Sequence, residues 1–133
     1  TLIEIKDFDI VVFTKKNYRR GYFNFSNYGW INSINGKIQS LSIKKKPKSL
    51  DSNIIIGTFL FKNKYVYEEL YHETVENNSN QKEIHIDHLV ETGLNKNMNV
   101  LEITSEQSVI LGIPQEYELF KYMKHVYEYL VNK

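Results

Sequence analysis

The chain alternates between short apolar runs and polar breaks, and the period of each run predicts an element. Asp9 to Thr14 is a compact β-rich run closed by Lys15 and Lys16, and it reads as a buried strand. Asn17 to Asn27 mixes Arg19, Arg20, Gly21 and aromatics without a period, which predicts a loop. Gly29 to Ile34 and Lys37 to Ile43 flank Asn35-Gly36. That dipeptide meets the two positive φ angles of a type I′ turn, so the segment predicts a hairpin. Lys44-Lys45-Lys46-Pro47 ends it, since proline lacks the donor to continue a ladder. Lys48 to Asn53 is polar, and Asn53 to Phe61 reads as a second buried strand interrupted by Gly57.

The period then lengthens. Tyr67, Leu70, Tyr71 and Val75 recur at helical spacing between Lys64 and Glu76. Ile86, Leu89, Val90 and Leu94 repeat that spacing on a second helix, with Asp87 as an expected N-cap. Asn99 to Thr104 and Ser108 to Leu111 predict two further strands. Gly112-Ile113-Pro114 opens a last helix, with proline at a favoured first position and Leu119, Met123, Val126 and Leu130 on one face. Helices interspersed with strands predict an α/β class with a mixed sheet and flanking helices.

Composition narrows the function. The 133 residues fit one domain, and 41% hydrophobic with 25% charged residues is an ordinary globular balance. A net charge of +1 gives no field that draws the chain onto nucleic acid or an anionic membrane, although Lys44 to Lys48 is a basic run. The absence of cysteine excludes disulfides and thiolate metal sites. His85, His88 and Asp87 form a polar cluster, yet their spacing matches no zinc pattern, so no metal site is expected. No apolar run reaches the roughly 20 residues of a membrane span. The N-terminus, Thr1-Leu2-Ile3-Glu4, lacks an initiator Met and a basic leader, so an excerpt or cleaved product of a longer cytoplasmic protein is expected.

Four segments, in order, carry a resemblance. Tyr28-Gly29-Trp30, Asn35-Gly36-Lys37-Ile38 and Ser42 to Pro47 resemble a "YG-x-V, D-x-x-G-x-V, x-x-E-K-P" stretch. Ile54 to Phe61 resembles "N-x-G-x-Y-x-F". Glu83 to Leu89 resembles "E-x-Y-x-D-x-x", and Leu111 to Leu119 resembles "x-G-T/I-P-E-D-Y-x-x". Together they resemble the C-terminal half of the bacterial sugar nucleotidyltransferases, the nucleoside-diphosphate-sugar pyrophosphorylase family. The match runs from about Asp9 to Leu130.

The resemblance implies the C-terminal part of a Rossmann-like fold and the acceptor-binding half of an enzyme. That enzyme joins an NTP to a sugar 1-phosphate or related phosphorylated acceptor and releases pyrophosphate. In such a reaction the acceptor's phosphate oxygen attacks the α-phosphorus in line, and Mg²⁺ offsets the developing charge. The family's glycine-rich nucleotide loop has no counterpart, since the 6 glycines are scattered with no two adjacent. The resemblance therefore implies that NTP and Mg²⁺ bind through an N-terminal half outside this chain, and that this chain alone does not turn over. It also implies a role in capsule or lipopolysaccharide synthesis.

By the same resemblance Lys46 contacts the acceptor's phosphate, Tyr28 and Gly29 border the acceptor, Gly57 admits it, and Glu83 and Asp87 contact it. No catalytic residue is implied. Three positions depart from the pattern. Lys45 stands where the family has Glu, Ile55 where it has Asn, and Ile110 where many members have a metal-binding Asp. Lysine accepts no hydrogen bond from a sugar hydroxyl, and isoleucine gives Mg²⁺ no oxygen. These departures support a second reading, a non-catalytic binding or assembly module. A sheet edge left open by the absent half, covered by self-association, is also expected.

Overall fold

The computed structural model describes residues 7–80 and 83–132. The segment Thr1 to Glu4, on which the reading of the N-terminus rests, lies outside them. The element order is β1 (Ile10–Lys15), a 3-10 helix (Arg19–Asn27), β2 (Gly29–Ile34), β3 (Lys37–Ile43), β4 (Asn53–Phe61), α1 (Lys64–Asn77), α2 (Ile86–Asn95), β5 (Val100–Thr104) and α3 (Pro114–Val131).

Local chemistry accounts for most of these bounds. Asn35 and Gly36 sit at φ 51° and 76°, so the hairpin turn has the backbone its two residues favour. Asn63 caps α1, its Oδ1 accepting from the Val66 N–H at 3.0 Å. Pro114 stands in the first turn of α3. Gly57 has φ +82° and lies in a bulge of β4, where the pairing steps from Val12↔Phe59 to Thr14↔Ile55. Only glycine takes that backbone angle without strain.

The expected open, Rossmann-like sheet is not what forms. The five strands close into a mixed barrel in the order β1-β4-β2-β3-β5. β1 runs parallel to β5 and antiparallel to β4, so it has partners on both sides and no free edge. β2 joins β4 through Trp30↔Ile54 and Ile31↔Asn53. The ring closes where β3 meets β5 at one pair, Lys37↔Leu101. Strand periodicity reveals that strands exist, but closure depends on which strands pair, and that is set by contacts across the whole chain.

A polar hub reinforces this thin seam. The Glu102 side chain on β5 accepts from Thr14 of β1 at 2.5 Å, from Asn53 of β4 at 2.7 Å and from Ser33 of β2. Its N–H donates to Gly36 O in the hairpin turn at 2.7 Å. One carboxylate thus ties β1, β2 and β4 to β5, while its amide holds the tip that leads into β3.

Side chains alternate between two cores. Ile10, Val12, Ile31, Ile55 and Val100 pack with Leu70 of α1 and Leu89 and Val90 of α2. On the other face Trp30 and Ile54 join Tyr28, with Tyr18, Tyr22, Ile110 and Ile113 against them. β1 is buried along most of its length, but β4 is exposed beyond its bulge at Gly57, Thr58 and Leu60. Its apolar run predicts cover on both faces, and only part of the strand has it.

Three other expectations change. Asn17 to Asn27 is not an open loop but 3-10 turns kinked at Asn24. Ser108 to Leu111 forms no strand, and the Lys15 ammonium donates to the carbonyls of Glu106 and Ser108 at 3.2 and 2.6 Å. The N-cap of α2 is His85, and Asp87 lies inside the first turn. No helix among the described residues is long and apolar enough to cross a membrane.

Candidate functional site

A hollow of about 240 Å³ opens where the start of β2, the bulge of β4, the first turn of α2 and the segment before α3 converge. Tyr28, Gly29, Gly57 and Asp87 line it, so the structure brings together four of the residues that the motifs single out. Ile55, Ile56, Val109, Ile110 and Leu111 complete an apolar wall.

The geometry depends on Gly29. A β-carbon there would collide with the Asp87 carboxylate and come within 2.9 Å of Ile55 Cδ1. The missing side chain is what allows the carboxylate to lie over the backbone of β2. Burial pushes the Asp87 carboxyl above its ordinary value, against the opposing pull of His85, His88 and Lys44. Its place in the first turn of α2 also sets it near the positive end of the helix dipole. The result is a desolvated acceptor facing a small, mostly apolar hollow, able to take a hydrogen bond from a hydroxyl or amine.

Tyr28 contributes its ring rather than its hydroxyl. That hydroxyl donates to Glu116 Oε1 at 2.5 Å, and Tyr18 donates to the same oxygen. The Tyr28 ring stands edge-on to Tyr18 at 5.8 Å and to Trp30 at 6.3 Å. Burial and the Glu116 bond push the Tyr18 hydroxyl up to about 12, and the same causes raise Tyr28 further. Glu116 is 5% exposed, and its Oε2 has no partner among the described residues. This acid and its two tyrosines hold the N-terminal turn of α3 against β2 and so fix the 109–112 wall of the hollow. The sequence puts Glu116 in the first turn of α3 but carries no signal for its burial.

Lys46 and Glu83 lie elsewhere. Lys46 lines a separate hollow of about 420 Å³ with Lys45, Lys48, His88 and Glu91. Consecutive residues of α2, Asp87 and His88, line the two hollows, so the hollows lie on different sides of the start of that helix. Glu83 is largely exposed and pairs with Lys44 at 3.9 Å and His85 Nε2 at 3.4 Å. Lys44, at φ 50°, turns the chain at the end of the hairpin.

The donor set does not suit a divalent cation. Ile110, in the wall, has no oxygen to offer a cation, Asp87 is the acidic residue of the hollow, and the described residues hold no group of three or more potential ligands. The residues around this hollow therefore do not fit Mg²⁺.

No family model and no curated protein matches the sequence. The structure is similar to a solved nucleoside-diphosphate-sugar pyrophosphorylase from Vibrio cholerae RC9, with a TM-score of 0.66 and 21% identity. The likeness covers 85% of this chain and 46% of that one. The chain spans a little under half of that pyrophosphorylase, and what the two share is the fold.

Proposed function

We propose that this chain is the acceptor-binding portion of a nucleotidyltransferase that joins an NTP to a sugar 1-phosphate or related phosphorylated acceptor. One observation carries the reading: Tyr28, Gly29, Gly57 and Asp87, picked out by their motifs, line one hollow on a pyrophosphorylase-like fold. In this reading Asp87 accepts from an acceptor hydroxyl. Gly29 and Gly57 let the acceptor approach the backbone, and the Tyr28 ring closes one side. Lys46, with Lys45 and Lys48, meets the phosphate from the neighbouring basic hollow. The NTP and Mg²⁺ are bound by a nucleotide-binding half outside this sequence, and pyrophosphate leaves as the acceptor's phosphate oxygen attacks the α-phosphorus. The reading extends to surface-polysaccharide synthesis in the cytoplasm, with neither nucleic acid nor membrane as partner.

A second reading has its own support. Ile55 and Ile110 make the wall apolar at two positions where the family motif is polar, which favours a binding or assembly module that keeps the fold without the reaction.

Titrating isolated protein with sugar 1-phosphates, followed by backbone amide NMR, separates the two. The first reading expects saturable shifts at Gly29, Gly57 and Asp87, with affinity falling about ten- to a hundredfold in Lys46→Ala but not in Lys64→Ala. NTPs with Mg²⁺ are expected to bind this chain no tighter than millimolar. Sugar phosphates that leave those amides unmoved would sink the first reading and leave the second.

A further inference from the structure

The hollow of about 470 Å³ at the hairpin end of the barrel lies apart from the site described above. It sits beside the Asn35-Gly36 turn, beyond the C-terminal ends of the parallel strands β1 and β5. Its lining holds no aliphatic or aromatic side chain. Glu102, Asp51, Asn53, Asn35, Ser33 and Lys16 surround it with both donors and acceptors.

We propose that this hollow binds a small, neutral, polyhydroxylated ligand such as a free hexose. Three features select that class. The volume lies within the range of small-molecule sites. The absence of apolar wall gives an apolar ligand nothing to bury against. Two carboxylates against one lysine leave the lining with an excess negative charge, which disfavours phosphates and other anions.

Glu102 makes the hollow a prepared acceptor. Its carboxylate offers about four lone-pair sites. Thr14, Asn53 and Ser33 occupy three, and they come from three strands, so the group is held still before any ligand arrives. The remaining site accepts one ligand hydroxyl. Asp51 at the exposed rim accepts a second, and Asn35 and Lys16 donate to the ligand's oxygens. Hydroxyls that donate and accept at adjacent carbons match this mixture, whereas a purely cationic or anionic ligand would leave half of it unpaired.

The test is an amide NMR titration of the wild-type chain with glucose, galactose and mannose, and with glucose 6-phosphate as the charged counterpart. At least one neutral hexose is expected to give saturable shifts at Gly36, Asn53 and Glu102, with glucose 6-phosphate weaker. Asp51→Ala, a rim change that leaves the Glu102 network in place, is expected to weaken binding about three- to tenfold. Saturable shifts confined to Gly29, Gly57 and Asp87 overturn this proposal while supporting the acceptor site. No saturable shift with any hexose, tighter binding of the phosphate, or unchanged affinity in Asp51→Ala also overturns it.

Discussion

Gly29 and Asp87 form a pair that a single atom would disrupt. In Gly29→Ala the added carbon meets the Asp87 carboxylate and Ile55 Cδ1, so at least one of these side-chain ends must shift. The variant is expected to lose about 1–3 kcal/mol in urea denaturation and to shrink the hollow. Asp87 also makes stability depend on pH. Its folded pKa is raised above the ordinary 3.8, so the folded chain holds that proton more tightly than the unfolded one. The resulting stability is present below 3.8 and is lost as pH rises through the folded value. Asp87→Asn removes this dependence, so its stability relative to wild type should improve from pH 4 toward neutrality. Denaturation midpoints across that window check the sign, with His85, His88 and Lys44 as the other charged groups facing the carboxyl. For Tyr28 the expectation splits two properties. Tyr28→Phe removes one donor to a buried acid and is expected to cost about 1–3 kcal/mol, while acceptor binding changes little because the ring remains.

Among the elements, the hairpin and α3 show opposite relations between pattern and packing. The β2–β3 hairpin has the bounds its alternation and its Asn-Gly turn predict, since both are properties of adjacent residues. Gly36→Ala forces a β-carbon onto a φ of +76°, where nothing crowds it closer than 3.8 Å. The cost is therefore conformational, about 1–2 kcal/mol, and thermal unfolding reads it directly. α3 also forms where its spacing predicts, but the face of Leu119, Met123, Val126 and Leu130 is poorly covered. Leu119 and Val126 are half-buried, while Met123 and Leu130 are 60% and 65% exposed. Its first turns are anchored through Glu116, with Tyr18 and Ile110 beside Leu119, Phe120 and Met123. Its last two turns lie beyond this anchor at Glu116. Amide exchange is expected to be fastest there and slowest in β1 and β5, the measure of local opening.

At the scale of the whole molecule, the barrel depends on its narrowest seam. β3 and β5 meet at one residue pair, and Glu102 gathers Thr14, Ser33 and Asn53 beside it. Glu102→Ala leaves three buried or half-buried donors without their acceptor. It is expected to destabilise the fold by about 1.5–3 kcal/mol, which chemical denaturation would read. Exchange should rise at Lys37 and Leu101 before it rises at the β1–β4 pairing. Equal rises everywhere would mean that the seam is not the weak point.

The order of most strands and helices, the bounds of the hairpin, the opening of α3 and four of the residues that line the hollow, Tyr28, Gly29, Gly57 and Asp87, were legible along the chain. Each rests on a period, a turn preference or a motif confined to a few neighbouring positions. The departures at Lys45, Ile55 and Ile110 were equally legible as residue types. Ring closure was not, and an open sheet was the expectation it replaced. Thr14 lies 88 residues from Glu102, and Tyr28 lies 88 from Glu116. No local window registers such pairs, so the hub, the buried acid under α3 and the division of Lys46 from Asp87 emerge only when the chain is folded. Strand identity follows from backbone and side-chain preferences of adjacent residues, whereas strand partnership follows from the minimum of the whole packed molecule.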